Sequence, residues 1–370
     1  MSPESSGTPR PSPASASAHS GSTAAGVPAA APEVPGRLGR ILPRGRSAGA
    51  ATGIVVATVV LFLISWIVEP QSVRESSLLG MLPFAAILAI VAVGQTLVIQ
   101  QGGIDLSVPG MISLTVVIMT AHPEGDSGKL AEALALAFGA ALAAGTLTGL
   151  LVSRVGITPI VTTLGMNALL YGTVIQVSGG TPTTTTDTLK DFASSRVLGI
   201  PVTVPIAIAL TLLVAFVVKK TVAGRRFEGV GASDTGARAA GLVVSRYKSS
   251  AYVFAALLYC AAGVLLAGIV STPSAFQGDT YLLPSVAAVV LGGTSLLGGR
   301  GSVAASAVAA LFLTQLDQLL LTSGASSGLQ NLVEAGALVV GLAIYSVPWK
   351  RVRVWLRGRS RRGLAVTSKE

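Results

Sequence analysis

The sequence predicts an all-α integral membrane protein with about ten membrane segments, and three observations carry that expectation. The first is composition: 370 residues, 51% hydrophobic and only 11% charged, with a mean hydropathy of +0.71, against about 25% charged residues in soluble domains. The second is a recurrence of stretches free of Asp, Glu, Lys and Arg, at 47–68, 76–104, 133–153, 155–186, 197–218, 249–278, 280–299, 301–316, 318–333 and 335–349. A spanning helix needs about 20 largely apolar residues. Several windows exceed that, while 106–123, 280–299 and 301–333 are short or interrupted. The third is where the basic residues fall. With crossings at 49–68, 78–100, 106–120, 131–152, 157–177, 202–218, 249–270, 282–297, 302–320 and 329–347, twenty-two Lys and Arg lie on one side and four on the other. The four are Arg74, Lys129, Lys190 and Arg196. Positive charge collects on the cytoplasmic side, so both termini are expected in the cytoplasm. The net charge of +10 and pI near 10.2 are therefore a topology signal, and nucleic-acid binding is not expected.

Taken in order, residues 1–46 are rich in Ser, Pro, Ala and Gly and read as a disordered cytoplasmic tail. Arg37 to Arg46 precede the first apolar run, which reads as an uncleaved crossing anchored on the inner side. The apolar region, 47–348, then contains two long connections. Residues 178–201, SGGTPTTTTDTLKDFASSRVLGIP, are polar and fall outside. Residues 219–248 are strongly charged and fall inside, too polar for lipid and too poor in large apolar residues to be a domain of their own. Their stretch DTGARAAGL has helix-forming character between glycines, so a short surface helix is expected there. Residues 349–370 form a basic cytoplasmic tail able to touch anionic headgroups.

One interruption stands out. Residues 76–104 carry no ionisable side chain, and then QGGIDLSVPG at 101–110 brings two glycines, a carboxylate and a proline. Gly102 and Gly103 break the helix, and Asp105 or Ser107 can cap the next one near Val108–Pro109. A side-chain oxygen there satisfies backbone N–H groups that lipid cannot. A direct part in a permeation path is the sharper reading of the same residues, since ionisable groups in membranes are costly and usually functional. A fainter echo follows the eighth crossing, where VVLGGTSLLGGRGSV places Gly292, Gly293 and Thr294 after an apolar run. It reads either as an old duplication or, in the plainer view, as a second glycine-rich helix break. The polar stripe TPIVTTLGMNALLYG offers Thr162, Thr163 and Asn167 as neutral donors and acceptors suited to a polyol, or to hydrogen bonding between helices. Asp317 and Glu334 read as residues at membrane edges flanking LTSGASSG, although Gln315, Gln318, Gln330 and Asn331 offer them a polar interior.

Catalytic signatures are missing. There is no Gly-x-Ser-x-Gly elbow, no HExxH helix and no convincing carboxylate pair. GTSLLGGRGS at 293–302 mimics a phosphate loop, but Arg300 stands where the lysine belongs and one residue late. Cys260 is alone and reads as a small packing residue, and His19 and His122 form no metal cluster. The chain is thus expected to move a solute rather than transform one, with no metal or cofactor of its own.

Four segments, GQTLVIQQGGIDLSVPGMISL, LVSRVGITPIVTTLGMNALLYG, AVVLGGTSLLGGRGSVAASAVAALFL and the 219–248 loop, together resemble the permease subunits of bacterial ABC importers for monosaccharides of the ribose/xylose type. The likeness runs from about residue 50 to 348. It implies a helical permease in the bacterial plasma membrane that pairs with a second copy around a central path. It also implies that sugar arrives from an extracytoplasmic binding protein and that ATP is bound by docked cytoplasmic ATPases. The loop TVAGRRFEGVGASDTGARAAGLVVSRYK matches the family's ATPase-facing segment, which puts Gly224, Arg225, Glu228, Gly231, Asp234, Ala237, Ala239 and Gly241 in coupling roles. The family often has Asn where this chain reads Ser233–Asp234, and a lysine or neutral residue near Glu334, so the sugar itself is not carried over. The rival readings are a permease for a non-sugar or signalling furanose, an exporter, an ion-driven secondary transporter, and a membrane-embedded enzyme or receptor.

Overall fold

The computed structural model describes residues 45–181, 184–270 and 272–346, with side chains for those between 51 and 339. The expected tails, 1–46 and 349–370, lie almost wholly outside the described residues. Two 26-residue helices, α2 (Glu75–Gln100) and α10 (Val244–Ile269), form the centre. They are 61% and 67% buried over their membrane-length windows, against 22–28% for α1 (Gly45–Val68), α4 (Leu130–Leu150), α5 (Pro159–Ser178) and α7 (Thr203–Lys220). A helix apolar on every side belongs in a membrane or a large core, and burial separates the two cases here. Gly94 lets α2 approach the ring of Tyr259, and the Tyr259 hydroxyl donates to Gln95 Oε1 at 2.8 Å.

The outer helices dock on this pair through small residues. Ala133, Ala137, Ala141, Gly145 and Gly149 recur every fourth residue of α4 and are all buried. A Cβ at Gly149 would lie 2.8 Å from the Ser249 carbonyl oxygen, and one at Gly145 2.9 Å from that of Tyr252, so α4 and α10 meet backbone to backbone. The Ser249 hydroxyl donates to the Gly149 carbonyl at 3.0 Å and lies 2.7 Å from Ser153 Oγ. Small residues and hydroxyl bonds associate helices where the solvent is itself hydrocarbon. On the opposite side Thr96 of α2 meets Ser306 of α12 (Val303–Thr322) at 2.9 Å, and Gln315 Nε2 of α12 donates to Ser65 Oγ of α1 at 3.1 Å.

Each of the ten expected segments contains a helix, but they are not ten equal crossings. Among the described residues seven helices are long and apolar enough to span: α1, α2, α4, α5, α7, α10 and α12. The helix α3 (Val108–Ala121) has 14 residues and α11 (Leu282–Leu291) has 10. At 1.5 Å per residue these reach about 21 and 15 Å, short of the roughly 30 Å hydrocarbon thickness. The eighth expected segment, 282–297, is shortened because its helix stops at Leu291, ahead of the Gly292–Gly293 pair. The last helix, α13 (Ser327–Ser346), has 20 residues, and the side chains of its final turns lie outside the described residues.

The connections hold more order than expected. The 178–201 loop carries α6 (Asp187–Ser194), which packs under Gly268 of α10, and a small antiparallel hairpin of β1 (Arg196–Val197) and β2 (Ile200–Pro201). The helical class therefore admits one two-stranded exception. The 219–248 loop forms two helices instead of one, α8 (Val222–Ala232) and α9 (Asp234–Ala239).

The stripe on α4 yields a first prediction. Gly149→Leu should destabilise the detergent-solubilised chain by about 1–3 kcal/mol through overpacking, read as a lowered thermal midpoint. Gly139→Leu, where a side chain meets nothing within 4 Å, should leave the midpoint unchanged.

Candidate functional site

The helix breaks after α2 and α11 are built alike. Gly102 N–H donates to the Ile99 carbonyl at 2.9 Å and Gly103 N–H to that of Val98 at 3.2 Å. After α11, Gly293 N–H donates to Val290 at 2.9 Å and Thr294 N–H to Val289 at 3.2 Å. Both are Schellman closures, in which a left-handed residue folds the chain back over the last carbonyls. Gly102 at φ +77° and Gly293 at φ +80° fill that position, which a side chain disfavours. The equivalence is Gly102 with Gly293 and Gly103 with Thr294, one residue out of step with the Gly-Gly alignment read from the sequence. Gly292 belongs to the end of its helix.

After the first break the backbone is satisfied by side chains. Asp105, only 2% exposed, accepts from Ser107 N–H at 2.9 Å and from the Ser107 hydroxyl at 2.6 Å. The cap thus sits one step outside α3: Ser107 holds the N-cap position, makes no side-chain cap bond, and is itself held by Asp105. Asn167 of α5 completes the turn, its Oδ1 accepting from Gly110 N–H at 2.8 Å. Thr163 Oγ1 lies 3.4 Å from the Ile104 carbonyl, while Thr162 donates within its own helix to Thr158 at 3.1 Å. The polar stripe of α5 is turned toward the broken segment. After the second break Ser302 Oγ accepts from Ala305 N–H at 3.3 Å and starts α12. Thr294 Oγ1 is buried with no partner among the described residues.

The charged loop closes on both breaks. Gly231 of α8 presents its backbone to the Gln100 carbonyl, with no room for a side chain. The same carbonyl accepts from Gly299 N–H at 2.9 Å, and Gln101 Nε2 donates to the Phe227 carbonyl at 2.9 Å. A Cβ on Gly298 would stand 2.9 Å from the Gly231 carbonyl oxygen, and one on Gly299 would meet Ala232. The end of α2, the end of α8 and the turn at 298–301 therefore share one point. Neither polar atom of the fully buried Gln100 amide has a partner among the described residues, a costly arrangement for a static core.

The remaining loop residues hold α8 and α9 in place. Gly224 packs against the Val217 and Val218 backbone and donates to the Thr221 hydroxyl at 3.0 Å, capping α8. Arg225 Nη1 donates to the Lys220 carbonyl at 3.3 Å, and Glu228 pairs with Lys219. Ser233 caps α9 by accepting from Gly236 N–H at 3.1 Å, and Asp234 pairs with Lys248 at 2.6 Å and Arg238 at 3.9 Å. The departure from the expected Asn thus has a local structural role. Ala237 is buried with Val230 and Val244, joining α8, α9 and α10. Ala239 is exposed, and Gly241 ends α9 with its N–H on the Arg238 carbonyl at 2.9 Å. Gln100, Gln101, Phe227, Gly298 and Gly299 were not singled out from the sequence. Among the described residues no three His, Cys, Asp or Glu side chains gather to hold a metal.

Comparison with known proteins decides what kind of membrane protein this is. The family model described as the branched-chain amino acid transport system permease component matches residues 77–348. The chain belongs to that permease family. It is 32% identical to the ribose import permease of Escherichia coli K12 over 296 residues, covering 78% of this chain and 92% of the relative. It is 33% identical to the fructose import permease of Bifidobacterium longum over 293 residues, 75% and 82% of the two chains. It is 26% identical to an autoinducer 2 import permease of Photorhabdus temperata over 328 residues, 85% and 97%. No solved structure matches. The permease is a multi-pass protein of the cytoplasmic membrane and a component of a transport system.

All three arms of the junction lie inside the permease-matched region. Asp317 and Glu334 stand apart from it, bearing on each other between α12 and α13 about two turns from the hairpin tip.

The α3 cap yields a second prediction. Asn167→Ala in the permease should leave Gly110 N–H unpaired at a cost of about 1–3 kcal/mol, seen as a lowered unfolding temperature in detergent. Thr162→Ala, which deletes only a bond within α5, should shift it by much less.

Proposed function

We propose that this permease is the membrane-spanning subunit of an ATP-binding cassette importer for a monosaccharide of ribose or xylose type. The observation that carries the reading is the seat of α8 on both helix breaks through Gly231, Gln100 and Gly299. A force applied to the loop reaches α2, and through the two breaks α3 and α12, without passing through flexible chain. Two docked ATPases closing on ATP would press α8, and the membrane segments would re-pack between two arrangements that expose a shared path alternately. The unpartnered Gln100 amide and Thr294 hydroxyl are groups that can find partners in the second arrangement.

The chain contributes no nucleotide site, so hydrolysis falls to the partner ATPase, and a second copy of the permease completes the path. The basic excess on the loop side, with 219–248 among it, supports a cytoplasmic loop and cytoplasmic termini. The opposite side then carries α6 and the β1–β2 hairpin, whose tip residue Leu198 is 98% exposed, as the face for a sugar-laden binding protein. A neutral sugar accords with a membrane domain that keeps so few charges. A furanose-derived signal molecule is the second reading, favoured by the Photorhabdus relative.

The test is reconstitution. Permease alone in proteoliposomes should hydrolyse no nucleotide. With its ATPase and binding protein it should take up D-ribose, D-xylose or D-fructose only when ATP is supplied. Gly231→Leu should cut uptake by about tenfold while basal hydrolysis by the ATPase continues. Gly229→Leu, which faces open space, should not. Uptake driven by an imposed ion gradient without ATP would sink the proposal.

A further inference from the structure

One carboxylate is unaccounted for by the coupling site. Asp279 lies in the irregular connection between α10 and α11, within a tight turn over Gln277–Tyr281. That turn does not stay at the end of the helices. Gly278 N–H donates to Ser113 Oγ of α3 at 3.0 Å, and the Gly278 backbone abuts the Pro109 carbonyl in the first turn of α3. The same first turn is fixed to Asn167, the ninth of the twenty residues of α5. Tyr171, the thirteenth, donates its hydroxyl to Asp279. At 1.5 Å per residue Tyr171 sits about 18 Å from one end of α5 and about 10 Å from the other. Asp279 is therefore held well inside the length of a spanning helix.

At that depth Asp279 is exposed and enters none of the ion pairs found among the described residues. An ionised carboxylate is not stable against hydrocarbon, and irregular backbone at membrane depth is tolerated only inside protein or along a water-filled cavity. Its neighbours are specific in kind. Phe276, 40% exposed, stands edge-on to Tyr171 with ring centroids 5.2 Å apart and planes at 90°. The Asn167 and Ser113 side chains bear on the Tyr171 hydroxyl. A carboxylate that can accept two hydroxyl protons, a phenol, an amide and an apolar ring beside them match a neutral polyhydroxylated ring. They repel an anion.

We propose that Asp279, Tyr171 and Phe276 form a water-facing recognition site for the hydroxyls of the transported sugar, part-way across the membrane. The identity of the ligand rests on the importer reading above; the water-facing placement does not. Asp279 accepts vicinal hydroxyls, Phe276 covers the C–H face of the ring, and Tyr171 orients the carboxylate. The neighbouring break, which α8 moves, adjoins the α3 turn that supports the site.

The test uses the complete transporter in proteoliposomes, with Cys260→Ala removing the sole native thiol. Asp279→Cys should react with a membrane-impermeant methanethiosulfonate. Leu169→Cys, 63% exposed and turned about 160° around α5 from Tyr171, should not. The transported sugar among D-ribose, D-xylose and D-fructose should slow the reaction at Asp279→Cys. Asp279→Asn should reduce uptake about tenfold, with part of it kept by Asp279→Glu. An unreactive Asp279→Cys overturns the water-facing site. Reactivity with no sugar protection and unchanged uptake by Asp279→Asn overturns recognition while leaving the importer reading intact. A wild-type transporter that carries none of the three sugars overturns that reading and sugar recognition with it, and reactivity at Asp279→Cys then upholds only the water-facing wall.

Discussion

Every backbone N–H and C=O within hydrocarbon must find a partner inside the protein, and the architecture of this permease follows from what happens when a helix stops early. Two helices end inside the bundle, at Gly102 and at Gly293, and each end is closed by the same pair of backbone bonds. What the closures leave over is met from elsewhere: Asp105 for Ser107, Asn167 for Gly110, Ser302 for Ala305. One group of the membrane domain's polar residues thus gathers where the chain breaks, and the two breaks meet at one junction.

That junction is held mainly by backbone. The Gln100 carbonyl takes the Gly299 N–H and faces Gly231, so three elements meet at a separation that only glycine permits. Close backbone contact transmits displacement better than side chains that can change rotamer, because packed interfaces move between discrete arrangements and do not deform smoothly. The ion pairs around α8 and α9, Lys219 with Glu228 and Asp234 with Lys248, are surface features worth little individually. They tie α8 to the end of α7 and α9 to the start of α10.

The helical class and the flanks of the long helices were legible in the sequence because charge marks them: Glu75 and Asp105 bracket α2, and Lys248 precedes the buried length of α10. The first break was legible too, since Gly-Gly followed by a carboxylate and proline has a direct physical meaning in lipid. The end of α11 was misjudged by six residues because Gly292 and Gly293 are followed by more apolar residues, and composition alone cannot see a helix stop. The four-residue recurrence of small side chains on α4 was present but hidden inside uniform apolarity. The junction itself was not legible, for it joins residues 100, 231 and 299 by backbone contact and leaves no trace in residue type beyond glycines that abound elsewhere. Asp279 was passed over for a related reason: counted as a boundary between two apolar windows, it looked like the end of a segment. In the fold, the connection that carries it descends beside α3.

The seating of Gly231 on Gln100 also has a bearing on how the chain can vary in length. Adding or removing one residue between Thr221, where α8 is capped, and Gly231 turns the far end of α8 by about 100° and replaces the glycine with a neighbour that does not fit. The stretch therefore tolerates neither insertion nor deletion. The 178–201 connection, ending in the exposed hairpin tip at Leu198, has no such phase to keep. Between these two connections, a change of length is expected to be borne by the hairpin and not by α8.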